Sequence, residues 1–267
     1  MTGALPMRTR IAPTPSGYLH AGNLANFLLT SWWAQDHELE VALRIDDVDP
    51  ERTRPAFIED IFRCLNALQI SWIVGPSSLN NFPRFSQQLQ TEYFRGEIEA
   101  AQERGLVTYR CRCSRSSLAA AIPCNCLAYP PTRHEPATIR LDTSCLLEGD
   151  WNAEAGTVLW RRDDVPSYHV VSIVSDRDLG ITHIMRGTDL KSASTLQQAL
   201  APFFDAPLVE TATFIHHGLA MTSIGEKLSK SSGRRSAPLL LDADGMQAIC
   251  SLATGWGQEI GVNPPQA

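Results

Sequence analysis

The chain has 267 residues, a formal net charge of −6, 43% hydrophobic and 19% charged residues, which is the balance of a folded globular protein and not of a disordered one. The acidic total excludes a histone-like coat for nucleic acid but leaves room for a local basic surface. No apolar run approaches the roughly 18 residues of a membrane span and the first ten residues lack the apolar stretch of a secretory leader, so a cytoplasmic protein of one large or two modest domains is expected.

Residues 8–14 read as a short strand ending in the turn Pro13-Thr-Pro-Ser-Gly17. Asn23 is placed to cap a helix with Leu24, Phe27, Leu28 and Trp32 at its apolar positions. Residues 40–45 read as a buried strand, 55–68 as a second helix with Phe57, Ile61, Leu65 and Leu68 on one face, and 87–104 as a third, polar helix. This alternation favours a parallel α/β sheet. From 107 to 164 the pattern breaks into a Pro-rich loop at Tyr129, two close cysteine pairs and strand-like runs at 137–141 and 157–161, which together read as an insertion with its own small core. Alternation resumes with a strand-like 168–174, then 181–185 and a helix from 194 to 203, and one short helix follows residue 241. The predicted divisions are 1–106 and 165–241 as two halves of one α/β domain, 107–164 as the insertion, and 242–267 as a short tail.

The seven cysteines are an odd number, which argues against a disulfide framework in a reducing compartment. Cys111, Cys113, Cys124 and Cys126 form two close pairs flanking a short loop, a spacing that suits four thiolates on a tetrahedral zinc ion as well as four reduced thiols. His134 is a candidate substitute ligand or a surface loop residue. Cys64, Cys145 and Cys250 are isolated and read as small core residues. Of the 23 Lys and Arg residues only three are Lys, and two of them, Lys227 and Lys230, share one pentapeptide, Lys227-Leu-Ser-Lys-Ser231. A compact ammonium suits phosphate. The strand, turn and helix start between Arg10 and Asn23 leave backbone N–H groups and a partial positive charge for a phosphate, with His20 as a donor and Gly22 admitting a flat base or ribose. Together the two segments read as a nucleotide site without a Walker-type loop.

Arg10-x-Ala-Pro-Thr-Pro-Ser-Gly-x-Leu-His20-Ala-Gly22-Asn23 resembles the first signature of class I aminoacyl-tRNA synthetases, in the form of the glutamyl branch, and Lys227-Leu-Ser-Lys-Ser231 resembles the second. Leu43-Arg-Ile-Asp46-Asp-Val-Asp49 resembles the family's Arg-Ile-Glu-Asp-x-Asp segment, and Pro166-Ser-Tyr168 with Gly180 to Leu190 resembles a further glutamyl segment. The chain stops at residue 267, where a full glutamyl synthetase continues into a helical anticodon-binding region. A short chain with a Cys-rich insertion resembles the glutamyl-queuosine tRNA(Asp) synthetases.

The resemblance implies a Rossmann-like catalytic core, a structural zinc in the insertion, ATP with Mg²⁺, and transfer of glutamate to queuosine in the anticodon of tRNA(Asp) by a monomer. It assigns Arg10 and Arg186 to substrate carboxylate, Asp46 to the α-ammonium, Tyr168 to a further hydrogen bond, and Ala12 and Thr14 to the lining. His20, Gly22, Asn23, Lys227 and Lys230 are assigned to ATP, with His20, Lys227 and Lys230 catalytic. Asp46 departs from the family's Glu and, one methylene shorter, leaves the carboxylate about 1.5 Å short. Ser175-Asp176 replaces the family's Asp-Asp, and a fourth Cys stands where the queuosine subfamily's metal set has a Tyr. Arg110, Arg112, Arg115 and Arg133 around the cysteines fit RNA phosphates or a solvated basic loop. Two other readings share these residues: a paralogue that charges a different acceptor, and a zinc-bearing tRNA-binding protein without catalysis.

Overall fold

The computed structural model describes residues 6–113, 124–132, 134–146, 151, 156–220, 238 and 241–265. In chain order the strands are β1 (Arg8–Ile11), β2 (Glu40–Leu43), β3 (Thr108–Cys111), β4 (Thr138–Leu141), β5 (Val158–Trp160), β6 (His183–Gly187) and β7 (Thr213–His217). The helices are α1 (Ala21–Asp36), α2 (Pro55–Ala67), α3 (Thr91–Glu103), α4 (Tyr168–Asp178), α5 (Lys191–Leu200), α6 (Pro207–Glu210) and α7 (Ala243–Ile260). By Cα proximity the chain divides into two compact units, one of residues 1–89, 178–194 and 211–267, the other of residues 90–177 and 195–210.

The first unit holds two parallel pairs, β1 with β2 and β6 with β7. Just ahead of β6, the Thr182 N–H donates to the Arg8 carbonyl at 3.0 Å, which lays β6 beside β1. The Rossmann-like parallel arrangement expected from the alternation of elements is therefore present. Helix α1 is apolar nearly all round because it touches β1, β2 and β6 as well as α2 and α7. Leu24, Leu29 and Ala25 on it are fully buried, and Ile249, Ala253 and Trp256 of α7 join the same core.

In the second unit β3, β4 and β5 form an antiparallel sheet, with Tyr109 opposite Arg140 and Arg140 opposite Val158. Phe94 of α3 and Phe204, in a 3-10 turn at Ala201–Phe204, are fully buried. Arg177 clamps this region by pairing with Glu97 at 2.7 Å and donating to the Phe204 carbonyl at 2.8 Å. Its guanidinium holds the Glu97 carboxyl below the usual carboxylate range.

Four expectations change. Residues 168–174 are helical: Val170, Val171, Ile173 and Val174 are all buried, so the β-branched run that suggests a strand is a helix enclosed on several sides. Asn23 is not the cap of α1 but its third residue; His20 is the cap. The helix after residue 241 is 18 residues long, capped by Asp242 and ended by Gly261 at φ 77°. Strand β7 went unread because its sequence Thr-Phe-Ile-His-His is only half buried and mixes polar with apolar positions.

Candidate active site and metal centre

The chemistry-bearing residues of the first unit gather at the carboxyl ends of its parallel strands, where ligands bind in open α/β sheets. Arg10 is on β1 and Arg186 on β6, and both are buried. The Arg10 guanidinium reaches toward the Met185 carbonyl at 3.5 Å, and that of Arg186 lies 4.9 Å from the Phe214 ring centre. Beyond the strand ends the chain runs as two adjacent segments. Arg44 N–H donates to Ile11 and Asp46 N–H to Pro13, each at 2.9 Å. Ala12 is half-buried and Thr14 exposed on the first of these segments.

The acidic run is a built network. Asp46 accepts from Arg44 Nε at 2.7 Å and from Gln87 Nε2 at 3.0 Å, and both members of the ion pair are buried. Asp47 accepts from the Ser86 hydroxyl at 2.5 Å and the Gln87 N–H at 2.7 Å. Burial pushes the Asp47 carboxyl up despite those donors. Asp49 is at a turn, accepting from the Glu51 N–H at 3.2 Å. Sequence reasoning found the carboxylates but missed Arg44 and Gln87, which neutralise and orient Asp46; Gln87 is 41 positions away, beyond the reach of any local pattern.

His20 and Asn23 close a reciprocal cap: the Asn23 N–H donates to His20 Nδ1 at 3.3 Å and the His20 N–H to Asn23 Oδ1 at 3.2 Å. An accepting Nδ1 carries no proton, so the neutral ring is protonated at Nε2. The turn before it is pinned by α2, whose buried Asp60 accepts the Leu19 N–H at 3.0 Å and pairs with Arg63 at 2.7 Å. A Cβ on Gly22 would lie 2.7 Å from that of Ala220, so only glycine permits this approach. Ala220 is the last described residue before the segment that contains Lys227 and Lys230, and those two lysines lie outside the described residues.

Strand β7 adds residues that the sequence did not single out. His216, opposite Arg186 in the ladder, has Nε2 2.9 Å from the Ser194 hydroxyl. His217 stacks on Trp256 with ring centres 4.2 Å apart and has Nε2 2.8 Å from the Asn26 amide. Burial pulls His183, His216 and His217 below the usual imidazole range, helped at His216 by Arg186 and Lys191. A folded-state pKa below the unfolded value of about 6.5 means that the unfolded chain binds protons the folded chain rejects. Stability is therefore expected to fall as pH drops from about 6.5 through these lowered values. Urea midpoints measured between pH 7.5 and 5 should show the decline, and His217→Gln should flatten it; an unchanged slope in that variant removes His217 from the effect.

Tyr168 belongs to the second unit, as the first residue of α4, with 41% of its surface exposed. That unit also holds the cysteine cluster. Cys111 ends β3 and Cys113 follows, while Cys124 and Cys126 open the turn beyond. The four sulfurs lie within 4.8 Å of one another, with Cys111–Cys124 and Cys113–Cys126 each at 3.7 Å. Four sulfurs at about 2.3 Å from a zinc ion define tetrahedral edges of about 3.8 Å, so donor set and spacing fit a metal ion such as zinc. Hydrogen bonding with Cys124 pushes the Cys113 thiol up to about 12. At Cys126 burial opposes ionisation, but the Arg112 N–H and neighbouring thiols outweigh it and bring the thiol to about 7. A metal must displace such protons to bind. Among the described residues, neither His134 nor Cys145 belongs to this group; Cys145 Sγ instead takes the Val107 N–H at 3.4 Å. Burial pushes the remote Cys64 thiol up to about 12.

Residues 6–121 and 146–248 match the family of class I tRNA synthetases (E and Q), catalytic domain. The chain belongs to that family. It is similar to the glutamyl-Q tRNA(Asp) synthetase of Synechococcus sp. (strain ATCC 27144), 31% identical over 89% of this chain and 85% of that protein. It is also 30% identical to the glutamate–tRNA ligase of Synechococcus sp. (strain CC9902), over 85% of this chain but 53% of that protein, so it spans about half the length of such ligases. The glutamate-tRNA synthetase structure from Elizabethkingia anophelis superposes with a TM-score of 0.67 at 20% identity, covering 85% of this chain and 53% of that one, a likeness of fold. No helix among the described residues is long and apolar enough to cross a membrane.

Proposed function

We propose that the chain activates glutamate with ATP and transfers the glutamyl group to queuosine in the anticodon of tRNA(Asp). The observation that supports this reading is the 31% identity to a glutamyl-Q tRNA(Asp) synthetase over 89% of this chain, within the class I (E and Q) tRNA synthetase family. In activation, a glutamate α-carboxylate oxygen bonds to the α-phosphorus of ATP while the bond to pyrophosphate breaks. No protein nucleophile is needed; alignment of two anions and stabilisation of the leaving charge supply the acceleration. In transfer, the acceptor on the modified base attacks the acyl carbon and AMP leaves.

In this reading Arg10 and Arg186 meet the substrate carboxylate, Asp46 meets the ammonium, Tyr168 contributes a further hydrogen bond, and Ala12 and Thr14 serve as lining. Asp46 is already engaged by Arg44 and Gln87 and is one methylene shorter than the family's Glu, so in this reading the substrate amine sits deeper or is bridged by a water. His20, Gly22, Asn23, Lys227 and Lys230 bind ATP, the histidine and the lysines at its phosphates and Gly22 beside the base or ribose, and Mg²⁺ would supply additional charge neutralisation. Segments 1–106 and 165–241 act as the two catalytic halves, 107–164 as the zinc-bearing insertion and 242–267 as a tail, in a cytoplasmic monomer.

The test combines ATP, labelled glutamate and tRNA(Asp) with or without queuosine. Label is expected on the anticodon fragment of the queuosine-containing tRNA alone. Label on any other fragment favours a paralogue with a different acceptor, and absence of glutamate-dependent ATP–pyrophosphate exchange favours a binding protein. Lys230→Ala should lower exchange far more than it weakens glutamate binding, because the leaving-group charge grows in the transition state. Equal losses in both contradict the role.

A further inference from the structure

The second unit contains a cavity of about 250 Å³ that the activation chemistry does not use, lined by Cys113, Thr138, Arg140, Val158, Arg161, Arg162 and Asp163. The sheet register explains its floor. Directly opposed residues of an antiparallel pair share a face, so Cys111 with Thr138, and Tyr109 with Arg140 and Val158, present one common face. Arg140 is only 8% exposed, and its Nε–H has no acceptor. Its outer nitrogen donates to the Gly156 carbonyl at 2.6 Å. Gly156 sits at φ 76°, where a Cβ would come 3.0 Å from the Tyr109 hydroxyl, so the backbone at Gly156 itself lies close to the sheet.

Among the described residues, three guanidinium groups and one carboxylate line the cavity. Asp163 pairs with Arg161, and Arg162 donates to the Arg112 carbonyl. A tetrathiolate zinc carries a formal charge near −2 and would itself attract arginines. Arg140 donates to the Gly156 carbonyl, Arg161 to the Asp163 carboxylate and Arg162 to the Arg112 carbonyl, all of them oxygen acceptors. A buried guanidinium with an unsatisfied donor beside two more guanidiniums at the rim is complementary to a tetrahedral oxyanion.

We propose that this cavity is a binding site for a backbone phosphate of the RNA substrate. The choice of RNA as the source of the phosphate rests on the function proposed above. The contact carries no base information and sets position only.

The experiment uses the zinc-loaded full-length protein and two probes, a tRNA(Asp) transcript and an unrelated stem-loop RNA, with affinity measured at several salt concentrations. The double variant Arg161→Gln/Arg162→Gln should bind both RNAs more weakly by the same factor. Each lost contact shallows the salt dependence by about 0.7–0.9 in log–log slope, so the gap to wild type narrows about threefold per contact between roughly 50 and 200 mM salt. Asp163→Asn should act in the opposite direction and tighten both RNAs. Unchanged affinity and slope in the double variant, or weaker binding in Asp163→Asn, overturns the proposal. So does loss of zinc from the double variant with RNA affinity intact, which would assign the arginines to the cysteine cluster. Wild-type protein that shows this RNA behaviour but no glutamate-dependent exchange refutes the catalytic reading and leaves the phosphate site standing.

Discussion

Cys113→Ser is expected to drop bound zinc well below one ion per chain and to loosen the sheet of β3, β4 and β5. A structural zinc contributes on the order of 10 kcal/mol to small domains that depend on it, and the strand β3 ends on one ligand and leads directly to the next. Removing one thiolate breaks a closed four-ligand set. Metal analysis and hydrogen exchange over residues 108–160 read the effect, with protection in α1 and α2 as the internal reference. Cys145→Ser is the control, because its sulfur is engaged with the Val107 N–H and stands outside the cluster. Unchanged zinc content in the first variant, or an equal loss in the second, ends the metal assignment.

Asp46→Ala is expected to destabilise the fold by about 3–5 kcal/mol, the range for deleting one partner of a buried ion pair. The Arg44 and Asp46 side chains are 6% and 10% exposed, so truncation takes the carboxylate away from a guanidinium held out of water. Gln87 loses its acceptor at the same time. A fall in the urea midpoint measures the loss. Asp46→Glu separates structure from the proposed recognition: it retains the charge, so the midpoint should move much less, while a change in the KM for glutamate would report on the reach proposed for this acid. If Asp46→Ala leaves stability unchanged, the pair is not the support that the geometry describes.

Legibility of the fold followed the range of the forces involved. α2 was readable because burial on one side stamps a period on the sequence, as at Ile61, Leu65 and Leu68, whereas β1 and β2, each buried at three consecutive positions, were readable as short runs without a period. α4 was misread because Val170, Val171, Ile173 and Val174 carry strand propensity, and tertiary enclosure overrides propensity. The cap of α1 was misplaced by three residues because Asn is the commoner capping residue, whereas here an imidazole nitrogen accepts the bond and the amide answers it. In the site, Arg10, Asp46 and Arg186 were legible as charges within motifs. Their partners were not: the link from Asp46 to Gln87, the pin from Asp60 to Leu19 and the stack of His217 on Trp256 join residues far apart in sequence. The cysteine set was legible because a tetrahedral ion demands close pairs at short spacing, a constraint written locally.

The cap of α1 has a further consequence. One hydrogen bond both closes the helix and decides which imidazole nitrogen of His20 is the donor. Fraying of the first helical turn would release the ring to the other tautomer. The population of chains offering an Nε2 proton at that spot is thus tied to the population with that turn intact, so under the ATP-binding role proposed for His20 local unwinding there would remove that donor long before it registers as a loss of fold.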